Sequence, residues 1–170
     1  NGHAVNINVL NDAAMFGCLK VMKYLETKNI TNQSILENII ISGSIDALKY
    51  YIDVYGYDVR VSTIAASKGE LETLKYLKDM NYKLSNTLNA SQSGNLECLK
   101  YCHKVLGCVI IKSMLDCALT FGSEDILDYI YDIDGCLESR YWRLAIHHSN
   151  FNAVKWLHMK QCPFPESSLR

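Results

Sequence analysis

Cys98, Cys102 and His103 have the residue types and the close spacing of a metal site. Thiolate and imidazole are ligands that zinc prefers, but a structural zinc needs four of them. No second cluster is spaced to complete the set. Both cysteines also fall in apolar columns of the repeat described below, so we interpret them as packed thiols. We expect no metal and no cofactor.

His147 and His148 could take part in proton transfer or in pH sensing. Adjacent residues on a helix point in different directions, and no Ser or Cys with an orienting acid accompanies the pair. We therefore expect no catalytic residue, and we expect that the protein is not an enzyme. Partner contact or simple surface exposure is the interpretation that we prefer for these histidines.

The acidic run between residues 124 and 134 could be a calcium site. Its members are Glu124, Asp125, Asp128, Asp132 and Asp134. A calcium loop needs a glycine at its sixth position and a glutamate at its twelfth, and this stretch has neither. We interpret it as a solvated acidic face. The sequence also lacks a glycine loop that cradles phosphate, and we expect no small-molecule substrate.

An internal repeat positions all these residues. Its clearest copy, S-K-G-E-L-E-T-L-K-Y-L at residues 67–77, returns as S-G-N-L-E-C-L-K-Y-C at 93–102 and as S-G-S-I-D-A-L-K-Y-Y at 42–51. The anchors of the six copies are Gly17, Gly43, Gly69, Gly94, Gly122 and Ser149, with spacings of 26, 26, 25, 28 and 27 residues. Near-constant spacing of this kind predicts a repeat architecture.

The residues that follow each anchor predict an amphipathic helix, because apolar residues recur two, five and eight positions after it. An aromatic column lies seven positions after the anchor: Tyr24, Tyr50, Tyr76, Tyr101, Tyr129 and Trp156. We expect these rings to stack as a ladder between repeats.

A second predicted helix precedes each anchor, and a mostly alanine column lies four positions before it: Ala13, Ile39, Ala65, Ala90, Ala118 and Ala145. Small side chains there let two helices approach closely. The anchor glycine suits a left-handed helix end. One helix pair cannot bury both of its faces, so the pairs must stack.

The sequence therefore predicts an all-α fold. We expect a solenoid of about six stacked helix–turn–helix repeats that forms a single array over residues 1–170, with a partial seventh unit from Cys162. The seven cysteines are odd in number and not closely paired, which favours free thiols in a reducing compartment. Cys108, Cys136 and Cys162 share one column, and we expect them to be small buried hydrophobes.

The charge balance argues against two classes of partner. With 17 basic and 18 acidic residues the net charge is −1, whereas nucleic-acid binding usually needs a basic excess. The longest purely apolar run, residues 39–41, is far too short to cross a bilayer. We expect neither nucleic acid nor a membrane as partner.

The stretch Gly69–Leu77, preceded by Ala65 and Ala66, resembles the core of ankyrin repeats. The segment 162–166, C-P-F-P-E, is similar to the opening of a short, divergent ankyrin-like repeat that is abundant in large DNA viruses of amoebae and in protists. The resemblance covers residues 7–166. The period here is about 26 residues against about 33 in ankyrin repeats, which implies that the projecting hairpins are reduced.

The resemblance implies a protein-interaction scaffold that binds another protein through its concave face, inside the cell or within a virus particle. The residues just before each anchor are then the candidate contacts. They include Met15, Phe16, Ile41, Lys68, Gln92, Phe121, His147 and His148. Packing of these residues under neighbouring loops stays open as the alternative. A structural subunit embedded in a larger assembly, such as a particle or capsid, is the alternative function.

Overall fold

The computed structural model describes residues 7–84, 87–121 and 123–165, with backbone alone at residues 87 and 88. The chain divides into two compact units, Asn1–Ala65 with Glu70–Ser85 and Ala66–Gly69 with Asn86–Arg170. Every regular element in the described ranges is helical, so the predicted all-α class is confirmed. None of these helices has the length and apolar character needed to cross a membrane.

The first unit is built from successive helices that pack in pairs. Its helices are α1 (Ile7–Met15), α2 (Leu19–Glu26), α3 (Leu36–Ile41), α4 (Ile45–Tyr55) and α6 (Leu71–Asp79). A short 3-10 helix, Gln33–Ile35, precedes α3, and α5 (Arg60–Lys68) runs across the boundary between the units. Helix α1 packs on α2 and α3, α3 packs on α4, and α4 packs on α2 and α6.

The second unit repeats this arrangement. It contains a 3-10 helix (Thr87–Gln92), α7 (Leu96–Lys104), α8 (Lys112–Phe121), α9 (Glu124–Asp134), α10 (Arg140–His147) and α11 (Phe151–Met159). Helix α8 packs on the 3-10 helix, α9 and α10, whereas α9 packs on α7 and α11. Within this unit each first helix therefore contacts the next first helix, and each second helix the next second helix. A continuous solenoid over the whole chain stays a prediction.

The anchors have the predicted left-handed backbone. Gly17 has φ +61°, its N–H donates to Ala14 at 3.0 Å, and the N–H of Cys18 donates to Ala13 at 2.8 Å. This pair of bonds satisfies carbonyls at the helix end. Ser149 adopts the same conformation with φ +55°, so the last copy keeps the turn without glycine. Gly122 lies outside the described residues.

Residues with left-handed backbone also lie at the ends of the second helices, where they form a second column. The sequence interpretation missed this column. Its members lie 12 or 13 residues after the anchors and have φ between 55° and 83°: Asn29, Gly56, Asn81, Gly107, Gly135 and Gln161. Glycine and asparagine tolerate this region best. The signal was present in the sequence as a recurrent Gly or Asn.

The predicted core columns are largely buried. The alanine column is buried throughout, and so is the column eight positions after the anchor: Leu25, Tyr51, Leu77, Cys102, Ile130 and Leu157. In the last copy Ala153 takes the fully buried position and Val154 is only half-buried. Phe151, two positions after the anchor, is 66% exposed, so the prediction of a core residue there is wrong.

In the first unit the aromatic column bridges repeats through lysines rather than through ring-on-ring stacking. Lys23 Nζ lies 5.2 Å from the centroid of the Tyr50 ring, and Lys49 Nζ lies 5.5 Å from that of Tyr76. Rings that do stack between successive repeats include Tyr57 and Tyr82, 4.4 Å apart. The predicted stacking is therefore wrong for Tyr50 and Tyr76. The lysine that directly precedes the column tyrosine of one repeat contacts the tyrosine ring of the next repeat instead.

The fourth copy differs from the prediction in its first element. A 3-10 helix, Thr87–Gln92, stands where an α-helix was predicted. Its sequence, T-L-N-A-S-Q, is rich in side chains that compete with the backbone for hydrogen bonds. Just after the element, Ser93 Oγ donates to the Ala90 carbonyl at 2.8 Å. Tertiary packing against α7 and α8 keeps the element in place.

Candidate functional site

The predicted contact residues of the first unit are exposed. Met15 and Phe16 lie at the end of α1, and Ile41 ends α3, the helix that packs beside it. All three side chains are exposed, and Phe16 is 76% accessible. Phe16 is therefore not packed under a neighbouring loop.

In the second unit three of the predicted residues form one aromatic contact. Phe121 ends α8 and is 66% exposed, and its ring lies 5.8 Å from that of His148. The rings of His148 and His147 are 4.9 Å apart. Lys68, exposed at the end of α5, and Gln92, half-buried at the end of the 3-10 helix, are not part of this cluster. We call Phe121, His147 and His148 the aromatic cluster.

A groove between α8 and α10 adjoins the aromatic cluster through His147. The groove has a volume of about 330 Å³ and is lined by Asp116, Arg140, Arg143, Leu144 and His147. The sequence interpretation missed four of these residues. The signal that could have found them is helical spacing, because Arg140, Arg143 and Leu144 lie seven, four and three residues before His147 and so share its face.

An ion-pair network fixes one end of the groove. Arg140 Nη2 lies 3.1 Å from Asp116 Oδ1, and Arg140 Nε donates to Glu138 Oε2 at 2.8 Å. Lys112 Nζ donates to Glu138 Oε1 at 2.9 Å, so a residue of α8 and the loop before α10 are joined. Two cations and two carboxylates balance one another here.

The network shifts the pKa of Lys112, Glu138 and Arg140 toward the charged form of each. The hydrogen bond to Glu138, and then that to Asp116, raises the pKa of Arg140. Lys112, followed by Arg140, lowers the pKa of Glu138. Burial raises the pKa of the neighbouring Tyr141 hydroxyl, so this phenol stays neutral. Lys112, Glu138 and Arg140 are therefore charged at neutral pH.

Arg143 also lines the groove but does not belong to the ion-pair network. It is exposed, and no carboxylate of the described residues pairs with it. Its guanidinium can donate two parallel hydrogen bonds to a carboxylate. Arg143 thus supplies the surplus positive charge of the groove.

The histidine pair has no arrangement for proton transfer within the described ranges. His147 and His148 contact each other and Phe121, and neither donates a hydrogen bond to a described carboxylate. Nor do the described residues contain a group of three or more His, Cys, Asp or Glu placed to hold a metal ion. The arrangement suits a contact surface.

The other groups that could do chemistry have structural partners. Cys98 and Cys102 are fully buried, as predicted for packed thiols, and His103 Nδ1 lies 2.7 Å from the Tyr129 hydroxyl. In the acidic run Asp128 is not simply solvated, because it accepts a hydrogen bond from Trp156 Nε1 at 2.9 Å and pairs with Lys160 at 2.8 Å. That part of the solvated-face interpretation is wrong.

The cysteine column at residues 108, 136 and 162 is only partly buried. Cys162 is buried, Cys108 is half-buried and Cys136 is exposed, so the prediction is wrong for Cys136. Cys162 begins a segment that packs against α10. Trp142 Nε1 donates to the Pro163 carbonyl at 3.1 Å, and the Trp142 and Phe164 rings stack 4.4 Å apart.

No family model matches this sequence, and neither a curated protein nor a solved structure matches it. The role of the aromatic cluster and of the adjoining groove therefore follows from their geometry and charge alone. An exposed phenylalanine, two histidines and an unpaired arginine lie together at the ends and along the faces of α8 and α10.

Proposed function

We propose that this chain is a non-catalytic interaction scaffold, an ankyrin-like array of stacked helix pairs that binds another protein through the exposed ends of its first helices. The observation that carries the proposal is Phe121, a large apolar side chain that is 66% exposed at the end of α8 and touches His148. Exposed aromatic side chains beside arginine are typical of interface anchors.

The helix pairs support the ankyrin-like part of this proposal. The five described anchors have left-handed backbone, and first helices pack on first helices within each unit. Such a stack places the ends of successive first helices side by side, which gives a partner a row of short contacts. Phe16 and Ile41 supply such contacts in the first unit.

We place the protein inside the cell, in the cytoplasm or within a virus particle. All seven cysteines are free thiols in the structure. A reducing compartment keeps thiols in this state. The partner is then a protein of the same compartment.

Affinity capture with matched variants tests the proposed function. Phe121→Ser removes the exposed ring of the aromatic cluster, and Phe151→Ser removes an equally exposed ring from α11. We expect the wild type and Phe151→Ser to retain one partner, identified by mass spectrometry and confirmed by calorimetric titration, that Phe121→Ser loses. Equal retention by all three proteins contradicts the proposal.

A structural subunit of a larger assembly is the second candidate function. Large apolar side chains outside the first helices are also exposed, among them Phe151 and Met159 at the two ends of α11, and Phe164 after it. Exposed apolar side chains are typical of permanent interfaces where they form one large patch. This candidate gains support if Phe151→Ser, rather than Phe121→Ser, abolishes assembly.

A further inference from the structure

We propose that the groove between α8 and α10 binds an acidic segment of the partner protein, with a carboxylate on Arg143 and an apolar side chain on Phe121. This inference rests on the proposed interaction function and adds the chemistry of the partner. It follows from the charge of the groove and from its continuity with the aromatic cluster.

The charge of the groove selects a carboxylate. Lys112 and Arg140 are already matched by Asp116 and Glu138, so a ligand gains little from them. Arg143 lines the same groove without a described partner. A guanidinium and a carboxylate form a bidentate pair, which is stronger and more directional than a single hydrogen bond.

The apolar contact lies beside that charge. His147 lines the groove and touches His148, and His148 touches Phe121. Leu144, half-buried on α10, adds an apolar patch to the groove wall. A partner segment can therefore cover the Phe121 ring while its carboxylate reaches Arg143. Burial of an aromatic ring next to an arginine concentrates binding energy in a few residues.

The same charges disfavour a polyanion. Lys112 and Arg140 already pair with Glu138 and Asp116, so these two cations are not free to bind phosphate groups. The surplus at the groove is one arginine, whereas nucleic acids and anionic membranes need a broad basic surface. The net charge of the chain, −1, gives no such surface.

Selection from a library of random peptides tests the inference. We expect the wild-type protein to retain peptides enriched in Asp or Glu next to an aromatic or aliphatic residue. Synthetic copies of the retained peptides are then titrated against the wild type and each variant. Raising the salt concentration should weaken their binding, because screening acts on exposed charges.

Four variants locate the binding. Arg143→Gln should weaken the selected peptides about tenfold, because one charge-assisted pair is lost, and Phe121→Ser should weaken them similarly. Lys104→Gln on α7 and Phe151→Ser on α11 remove a charge and a ring elsewhere and should bind as the wild type does. Arg143→Glu reverses the charge, and a fresh selection with it should retain basic peptides. Circular dichroism checks that each variant is folded.

Several results would overturn the acidic-segment inference. They are retained peptides without acidic enrichment, acidic peptides that bind Arg143→Gln as well as the wild type, or no retained peptide at all. Binding of polyuridylate or of anionic phospholipid vesicles that depends on Arg143 would also overturn it. None of these results contradicts the proposed function, because the capture experiment with Phe121→Ser and Phe151→Ser tests it independently.

Discussion

Asn95 Nδ2 donates a hydrogen bond of 2.9 Å to the carbonyl of Gly69, the anchor of the preceding repeat. The same side chain caps α7, because its Oδ1 accepts from the backbone N–H of Cys98 at 3.1 Å. One residue therefore both begins a helix and ties two successive anchor turns together. Asn150 does the same, capping α11 at Ala153 and donating to the Leu119 carbonyl at 3.0 Å.

Asn95→Ala should lower the free energy of unfolding by about 1–3 kcal/mol, since it removes a helix cap and leaves a carbonyl without its donor. Asn95→Ser keeps a capping oxygen, as Ser44 does for α4 by accepting from Ala47, and should cost less. Urea denaturation measures both values. Equal losses for the two variants would show that the capping oxygen contributes nothing, whereas no loss for Asn95→Ser would show that the bond to Gly69 contributes nothing.

Gly69→Ala should be more destabilising than Gly94→Ala. Both glycines have φ +74°, so an alanine is strained equally at either, by about 1–2 kcal/mol. At Gly69 an added Cβ would lie 2.8 Å from Asn95 Cβ, whereas at Gly94 it would meet open space. Overpacking adds about 1–3 kcal/mol at Gly69 alone. Thermal unfolding of the two variants checks the order, and a reversed order refutes the close approach.

Phe121→Ser should change the free energy of unfolding by no more than about 0.5 kcal/mol, because the ring is mainly exposed. Phe16→Ser should behave in the same way. Ile130→Ala, at a fully buried position of α9, serves as the control and should cost about 2–5 kcal/mol. A large drop in melting temperature for either phenylalanine variant would show that its ring belongs to the core.

Asp128 should contribute an acid-sensitive part of the stability. The hydrogen bond to Lys160, followed by that from Trp156, lowers the pKa of the Asp128 carboxyl in the folded protein. Its contribution is therefore complete above the ordinary aspartate pKa of about 4 and is lost as the pH falls through the lower folded value.

Asp128→Asn is the matching test. The Asp128 side chain is 43% exposed, so we expect the variant to be less stable by no more than about 1 kcal/mol at neutral pH. That difference should shrink at about pH 3, below the ordinary aspartate pKa. Urea midpoints at the two pH values measure it. If the difference in stability keeps its full size in acid, then the shape of the Asp128 side chain, and not its charge, stabilises the fold.

The cysteines should fall into kinetic classes when they react with a thiol reagent. Cys18 and Cys136 are exposed and should react in the folded protein, while Cys98, Cys102 and Cys162 should react only after unfolding. Burial raises the pKa of the Cys117 and Cys162 thiols, which lowers their thiolate fraction further. Mass spectrometry of the labelled peptides assigns each class. Rapid labelling of Cys98 would contradict the packed core.

The left-handed anchors and the helix on each side of them could be predicted from the sequence, because both depend on local chemistry. The recurrence of glycine at residues 17, 43, 69 and 94 encodes a backbone turn that only a few residue types adopt without strain. Apolar residues in steps of three or four encode the buried helix face in the same local way. The exposure of Phe16 at a helix end was left open by the sequence and was decided by the structure.

Contacts between repeats depended on the tertiary structure. Periodicity places Tyr50 and Tyr57 equally well for stacking, yet only Tyr57 stacks on its counterpart, Tyr82. Asp116 and Arg140 are 24 residues apart and meet because α8 and α10 pack side by side. The offset between neighbouring helices decides which side chains touch, and that offset is set by the packing of many residues at once. The sequence by itself determined the turns and the helix faces, whereas packing alone created the groove and left Arg143 unpaired.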